Sequence, residues 1–357
     1  MYDYSQIFDD DGVDDGEGED AQWRQYARSW LKTTIPGSLD AGEEARRVGG
    51  TAFVPIGREP PACTFANAPH CTVSLHQDIN KRPYQEDRMS VANPLPDAAG
   101  AALFGVFDGH GGSRASEYVR LAVERAVAMA VRLVAAAEAP DAWMAHEPSP
   151  RVVFCLTEIV RLLERGFMRI ASASTLKDGT TFNICVVIGH HLYVVNVGDS
   201  RTVLCTEGTP IPLSSDHKVS DLRVHKHLAE YCRVLKAGGR VSLGRIQVPN
   251  CRLRLSMSRS IGDFPMKANN QSIIADPDIK FHYIDASDEF LVVATDGVWD
   301  VMSGVGVVTN VRGRLRDAPA DTQLPAHLAQ DLLADVARLD TQDNASAIVV
   351  RIQQQKP

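Results

Sequence analysis

Apolar residues fall along this chain in two rhythms. Short unbroken runs at Leu103–Phe107, Phe182–Ile188, Leu192–Val197, Thr202–Cys205, Phe290–Ala294 and Ala347–Ile352 have the length and β-branched content of buried strands. Longer stretches repeat at three-to-four spacing over residues 113–137, 151–173, 221–237 and 326–338 and predict helices. The middle three strand runs are separated only by Gly189-His190 and Gly198-Asp199-Ser200, which predicts an antiparallel meander with tight turns. Residues 138–150, with Pro140, Pro148, Pro150 and Trp143, predict a connecting loop. Strands gathered in runs, with helices in runs of their own, predict α+β layers rather than alternating βαβ units. No internal repeat is visible.

Composition divides the chain. Residues 1–20 hold nine acids and no Lys or Arg, so a net charge of −8 overall leaves +1 for the remainder. That segment is expected to be a disordered acidic tail. Residues 21–65, with Trp23, Tyr26 and Trp30 among Gly and Pro, form an arm that either packs on the domain or floats. The globular pattern covers 66–355. With 44% hydrophobic residues in 357, a large core is within reach. No basic stripe argues for a nucleic-acid partner, and no run of about 18 apolar residues argues for a membrane span. Seven scattered cysteines without a CxxC pair read as reduced thiols. With no secretory or transit signal at the N-terminus, a cytoplasmic or nuclear monomer is expected.

The chemistry sits where strands end. Two apolar runs close on Asp-Gly, at Phe107-Asp108-Gly109-His110-Gly111-Gly112 and at Thr295-Asp296-Gly297-Val298-Trp299-Asp300. A carboxylate at the mouth of a buried strand is costly unless its charge is compensated, and a cation supplies that. A neighbouring Gly lets backbone approach the ion closely. Glu86-Asp87 after Arg82, Asp343-Asn344 before the last strand and Asp199 in the turn repeat the theme. Asp-Gly alone is ordinary turn chemistry, but so many acidic strand ends in one chain are not. The donors are all hard oxygens, which suit Mg²⁺ or Mn²⁺ rather than zinc.

Taken in order, Arg82-x-x-x-Glu86-Asp87, Val106-Phe107-Asp108-Gly109-His110-Gly111-Gly112, Val197-Gly198-Asp199-Ser200-Arg201, Asp216-His217-Lys218, Ser258-Arg259-Ser260-Ile261-Gly262-Asp263-Phe264, Thr295-Asp296-Gly297-Val298-Trp299-Asp300-Val301-Met302 and Asp343-Asn344 resemble the metal-dependent type-2C serine/threonine protein phosphatases. The resemblance runs from about residue 72 to 352. It implies a four-layer α-β-β-α sandwich of two antiparallel sheets with a dimetal site at one end. It implies hydrolysis of phosphoserine and phosphothreonine in phosphoprotein substrates by a metal-bridged hydroxide, with no covalent intermediate. Asp108 would then bridge two Mg²⁺ or Mn²⁺ ions and the Gly109 carbonyl would bind one. Asp296 and Asp343 would complete the first ion's shell, and Glu86 and Asp87 would support the second. Asp199 and Asp300 match positions that hold a weaker third ion in some members. Arg82 has the fork geometry to grip phosphate. His110 is the candidate general acid for the leaving oxygen, against the plainer role of a histidine bracing its loop.

The chain also departs from that pattern. Val219 follows Lys218 where Pro is common, and Phe182 stands where a small residue is usual and is expected to alter a strand edge. Residues 241–255, matching the flap beside the active site, are idiosyncratic. Cys155-x5-Arg161 has the bare spacing of a cysteine-dependent phosphatase, but it lies in a helical stretch without Gly and reads as core. His190-His191 and His225-Lys226-His227 read as solvated surface. Two rival functions keep the same site or fold: a small-phosphoester hydrolase, and a non-catalytic partner-binding module.

Overall fold

The computed structural model describes residues 19–38, 58–65, 68–220, 225–316 and 325–353. In chain order its main elements are α1 (Glu19–Leu31), β1 (His70–Asp78), β2 (Arg88–Ala92), β3 (Ala101–Phe107), α2 (Arg114–Ala135), α3 (Pro150–Ser174), β4 (Phe182–Ile188), β5 (His191–Val197), β6 (Arg201–Thr206), β7 (Thr209–Pro212), α4 (His225–Lys236), α5 (Phe264–Lys267), β8 (Asp278–Tyr283), β9 (Asp288–Ala294), α6 (Asp296–Trp299), α7 (Gly304–Arg316), α8 (Leu328–Arg338) and β10 (Ala345–Gln353). Two five-stranded sheets, ordered β8-β5-β4-β3-β2 and β7-β6-β9-β10-β1, are antiparallel throughout.

The sheets stack face to face, and each carries helices on its outer side. Period-2 geometry explains why the strands read as unbroken apolar runs. In β3, Leu103 and Phe107 face α2 and α3, while Ala102, Phe104 and Val106 face the second sheet. In β9, Phe290, Val292 and Ala294 meet α7 and α8, while Leu291 and Val293 point into the core between the sheets. The layers are therefore α-β-β-α, as expected. Among the described residues no helix is long and apolar enough to cross a membrane.

The meander is only half realised. β4 and β5 form the expected hairpin through Gly189. Gly198-Asp199-Ser200 instead carries the chain out of the first sheet, and β6 pairs with β7 and β9 in the second. A tight turn leaves open which neighbour the next strand takes. Here β6 is apolar on both faces, with Val203 and Cys205 under the outer helices and Leu204 in the inter-sheet core, so it needs cover on both sides. The crossing sets Asp199 at the mouth between the sheets.

Other expectations shift with burial. The arm packs where it is described: α1 buries Ala27 and Leu31, and Trp23 meets the Phe154 ring at 5.9 Å. Glu19 and Asp20, the end of the acidic stretch, open that helix, while residues 1–18 and 39–57 lie outside the described residues. Residues 221–224 of the stretch read as helical also lie outside them, and α4 is described from His225. His191 is not solvated; it is 1% exposed, with Nε2 2.7 Å from the Ala145 carbonyl. Cys155 is fully buried in α3, and burial drives its thiol pKa far up, away from any nucleophilic role. Phe182 sits on a central strand, not an edge, with its ring 5.7 Å from Phe107. Val219 joins Val234, Ile246, Val248 and Leu255 in a small satellite core beneath the flap.

Because Phe182 is fully buried, Phe182→Ala is expected to lower the unfolding free energy by about 3–5 kcal/mol. Urea unfolding measures this, and a loss below about 1 kcal/mol would contradict the central placement.

Candidate active site: carboxylates at one end of the sandwich

Strand register brings the acidic residues together. Arg88, which follows Glu86-Asp87, pairs with Phe107, which precedes Asp108. Ala294, two residues before Asp296, pairs with Ala347 on one side and with Arg201 on the other. Asp343 and Asp199 lie just outside those same strand ends. Five segments distant in sequence thus deliver Glu86, Asp87, Asp108, Asp199, Asp296 and Asp343 to one end of the molecule.

Local hydrogen bonds fix each ligand-bearing turn. The Asp108 N–H donates to Thr181 Oγ1 at 3.0 Å, and the Thr181 N–H donates to the Asp108 carbonyl at 2.9 Å. A Cβ on Gly109 would stand 2.3 Å from the Glu86 carbonyl, so only Gly fits. Asn344 anchors the Arg82–Glu86 loop: its Oδ1 accepts from the Glu86 N–H at 2.9 Å, and its Nδ2 donates to the Ile79 and Tyr84 carbonyls. Glu86 Oε1 accepts from the Gly112 N–H at 2.7 Å. Asp87 accepts from Thr295 Oγ1 at 3.0 Å and Ser346 Oγ at 2.8 Å through one oxygen, leaving Oδ1 buried without a partner.

The electrostatics are those of crowded anions. Burial, then the charges of Asp87, Asp296, Asp199 and Asp343, raises Asp108 well above the carboxylate range. Burial, then Asp199, raises Asp296 well above it too, with Lys218 opposing. Burial pushes Asp87 up to about 7 against its two hydroxyl donors. Burial also raises Asp199, although Lys218, with Nζ 3.3 Å from Oδ2, opposes it, and Oδ1 is buried without a partner. Among the described residues no three such groups close into a finished cage. Asp87 Oδ1 and Asp199 Oδ1 are buried without a hydrogen-bond partner, and Lys218 is the cation the chain sets against Asp199 and Asp296. That set fits hard divalent cations.

The remaining residues sit at the rim. Arg82 is half-exposed, and its Nη2 lies 2.5 Å from Asp343 Oδ2, so these two grip each other. Asp300 is also exposed. Lys218 Nζ stands between it and Asp199, at 3.2 and 3.3 Å, so the chain's own ammonium occupies the ground between the two residues matched to a third ion. His110 Nε2 is 2.9 Å from Asp263 Oδ2, and its Nδ1 is buried without a partner. Burial works against the imidazolium, but the Asp263 charge and hydrogen bond outweigh it and raise the His110 pKa. Ser260 Oγ donates to the same Asp263 oxygen at 2.6 Å. Asp263 and Lys218 stand within the sequence motifs without an assigned role, and Thr181 lies outside them. The one local signal for Asp263 is structural: a non-Gly residue at φ +56°.

The crowding has a sign. A raised carboxylate pKa means the folded state holds its proton more tightly than the unfolded chain. Stability from Asp108 and its neighbours is therefore full below their usual value near 4 and is lost as pH rises through the folded values. In chelator, metal-free protein is expected to melt at lower temperature at pH 8 than an Asp108→Asn variant does, with the gap shrinking toward pH 5. His191 and His217, whose protonation burial disfavours, titrate oppositely in this window, so the wild-type-minus-variant difference is the quantity to measure. A gap independent of pH would contradict the clustering.

Known proteins place this geometry. The family model "Protein phosphatase 2C" matches residues 85–345. The chain is 33% identical over 246 residues to protein phosphatase 1L of Bos taurus, covering 68% of this chain and 64% of that one. It is 34% identical over 289 residues to probable protein phosphatase 2C 43 of Arabidopsis thaliana, covering 75% and 63%. The chain thus spans roughly half to two thirds of the length of such relatives. Among solved structures, serine-threonine phosphatase 2C from Toxoplasma gondii superposes with a TM-score of 0.67 at 21% identity, over 84% of this chain and 99% of that one. That likeness shows the shared sandwich. The matched stretch runs from the Glu86 loop to the last strand and holds every buried carboxylate of the cluster, and on that basis the chain belongs to the protein phosphatase 2C family.

Proposed function

We propose that this chain hydrolyses phosphoserine and phosphothreonine in proteins, with two divalent cations, Mg²⁺ or Mn²⁺, held by the carboxylate cluster. The observation that carries this reading is the strand register that brings Asp87, Asp108, Asp199 and Asp296 together beside Arg82 and the His110–Asp263 pair, where burial and neighbouring carboxylates raise their pKa values. Family membership supports it.

Asp108, the Gly109 carbonyl, Asp296 and Asp343 would hold one ion, with Asp108 shared, and Glu86 and Asp87 would serve the second. Two such cations supply an acidified water as nucleophile and neutralise the phosphoryl oxygens. The rest is done by the chain. Arg82, exposed enough to swing from Asp343, presents two N–H groups to the phosphate and orients the P–O bond for in-line attack. Asp263 accepts the His110 Nε2–H and fixes the ring, leaving Nδ1 as the nitrogen whose proton goes to the departing seryl or threonyl oxygen. The products are inorganic phosphate and the free hydroxyl. No side chain takes up the phosphoryl group.

Phosphate release from a phosphothreonine peptide is expected to require added Mg²⁺ or Mn²⁺ and to cease in chelator. Turnover surviving exhaustive chelation would sink the dimetal reading. Turnover of small phosphoesters alone would favour the narrower hydrolase, and binding without turnover a non-catalytic module.

His110→Ala is expected to slow the phosphopeptide reaction by about 10²–10⁴-fold while slowing nitrophenyl phosphate far less, because nitrophenolate leaves without a proton. Asp263→Asn should show the same leaving-group dependence with a smaller loss. Equal losses on both substrates would make His110 a structural residue.

A further inference from the structure

Charge is distributed unevenly on the flap. Residues 225–262 contain Lys226, Arg233, Lys236, Arg240, Arg245, Arg252, Arg254 and Arg259 against the single acid Glu230. Glu230 is buried and already bound by Arg233 and Arg259, and Lys226 and Arg259 are engaged by Asp278. What remains is exposed. Arg240, Arg245, Arg252 and Arg254 are all on the surface, and among the described residues none of the four meets a carboxylate.

These four arginines share one face. Residues Arg240–Ser242 and Arg245–Gln247 form a hairpin with Arg240 opposite Gln247, Ser242 opposite Arg245 and Val241 opposite Ile246. Ile246 also exchanges backbone hydrogen bonds with Leu255, making a third short strand. Directly opposed residues share a face and successive ones alternate. Val241, Ile246, Leu253 and Leu255 point into the satellite core, so Arg240, Arg245, Arg252 and Arg254 point outward. Arg240 and Arg252 also line a shallow cavity of about 420 Å³. Leu243, at the hairpin tip, is 97% exposed.

The flap is tied to the carboxylate mouth. Met257 bridges to Lys218, the residue whose Nζ lies between Asp199 and Asp300, and the Ser258 N–H donates to the His217 carbonyl at 2.7 Å. Arg254 is three residues from Met257, about 10 Å of extended chain. Acidic side chains a few residues from a phosphorylated Ser or Thr could therefore reach the arginine face while the phosphate sits at the mouth.

We infer that the four-arginine outer face of the flap is a substrate-docking surface that selects phosphoproteins with acidic residues flanking the phosphorylated position. This rests on the phosphatase reading above and names its substrate class. An unpaired basic face beside a site that processes an anion raises the encounter rate and the residence of an acidic chain, and it repels a basic one. Each exposed pair contributes little, but four acting on one peptide add up to about tenfold.

The test compares phosphothreonine peptides of one length with acidic, neutral or basic flanks, assayed with Mn²⁺ at low and high salt. The acidic peptide should be preferred by about tenfold or more in kcat/KM, mostly through KM, with the preference shrinking in salt. An Arg240→Gln, Arg245→Gln, Arg252→Gln, Arg254→Gln variant should lose the preference while turning over nitrophenyl phosphate within about twofold of wild type. A wild-type enzyme blind to flanking charge, or a variant that keeps the preference, overturns the inference. If the variant does not fold, the flank and salt series on wild type decides alone. Fluorescence anisotropy with the unphosphorylated acidic peptide separates this inference from the reading beneath it. If no peptide is turned over, the phosphatase reading falls, yet salt-sensitive peptide binding that the variant lacks would still uphold the surface. Tighter binding of a single-stranded RNA or an anionic vesicle than of the acidic peptide would assign the face to another partner and overturn the inference.

Discussion

Buried like charges at one end of the sandwich are the constraint on which the rest of the structure turns. Asp87 and Asp199 are buried and Asp108 and Asp296 half-buried, and the loss of water together with neighbouring carboxylates raises the pKa of all four. Uncompensated burial of this kind costs several kcal/mol per ion even after relaxation. The chain offers two partial answers, Lys218 beside Asp199 and Arg82 on Asp343, and neither reaches Asp108. Bound cations, as proposed above, would compensate the remaining negative charge.

Holding that arrangement falls to the layers behind it. Three apolar cores, one between the sheets and one beneath each helical layer, fix the strand ends. At the mouth, Thr295 and Ser346 hold the Asp87 carboxylate directly, while other polar residues act on the backbone. Thr181 clamps Asp108 by its main chain, Asn344 pins the loop bearing Arg82 and Glu86, and Gly109 leaves room for the Glu86 carbonyl. These backbone contacts fix the positions of Asp108 and Glu86 without engaging their carboxylate oxygens.

Much of this was legible in the sequence because it depends on residue type at fixed intervals. Apolar strands closing on Asp-Gly predicted both the strands and the acids at their ends. What was not legible depended on pairing. The turn at Gly198 looked like a hairpin because local chemistry carries no record of which sheet the next strand joins. His191 looked solvated because its burial comes from Ala145, 46 residues away. Asp263 had no role because its partner His110 lies 153 positions off and only folding joins them. The basic face of the flap was diluted in a near-neutral body until strand alternation put four arginines on one side.

The two ends of one carboxylate network show how burial separates structural acids from those that do chemistry. Glu230 and Asp278 are also buried, yet both are held well below the carboxylate range. Burial opposes their charge, but Arg259 with Arg233 outweighs it for Glu230, and His217 with Arg259 and Lys226 outweighs it for Asp278. They anchor the flap to the sheet and have no free lone pairs to offer. His217 links the two regimes: its Nδ1 accepts the Gly198 N–H at 3.0 Å, and its Nε2 faces Asp278 at 3.1 Å. One fully paired acid thus braces the turn that carries Asp199, whose single ionic partner is Lys218 among the described residues. Breaking the Glu230–Arg259–Asp278 network would leave a buried charge uncompensated and loosen the flap together with that turn. The rigidity of the paired acids is therefore a condition for keeping the clustered acids in place, and the flap that presents the arginines and the carboxylate mouth stand or fall as one mechanical unit.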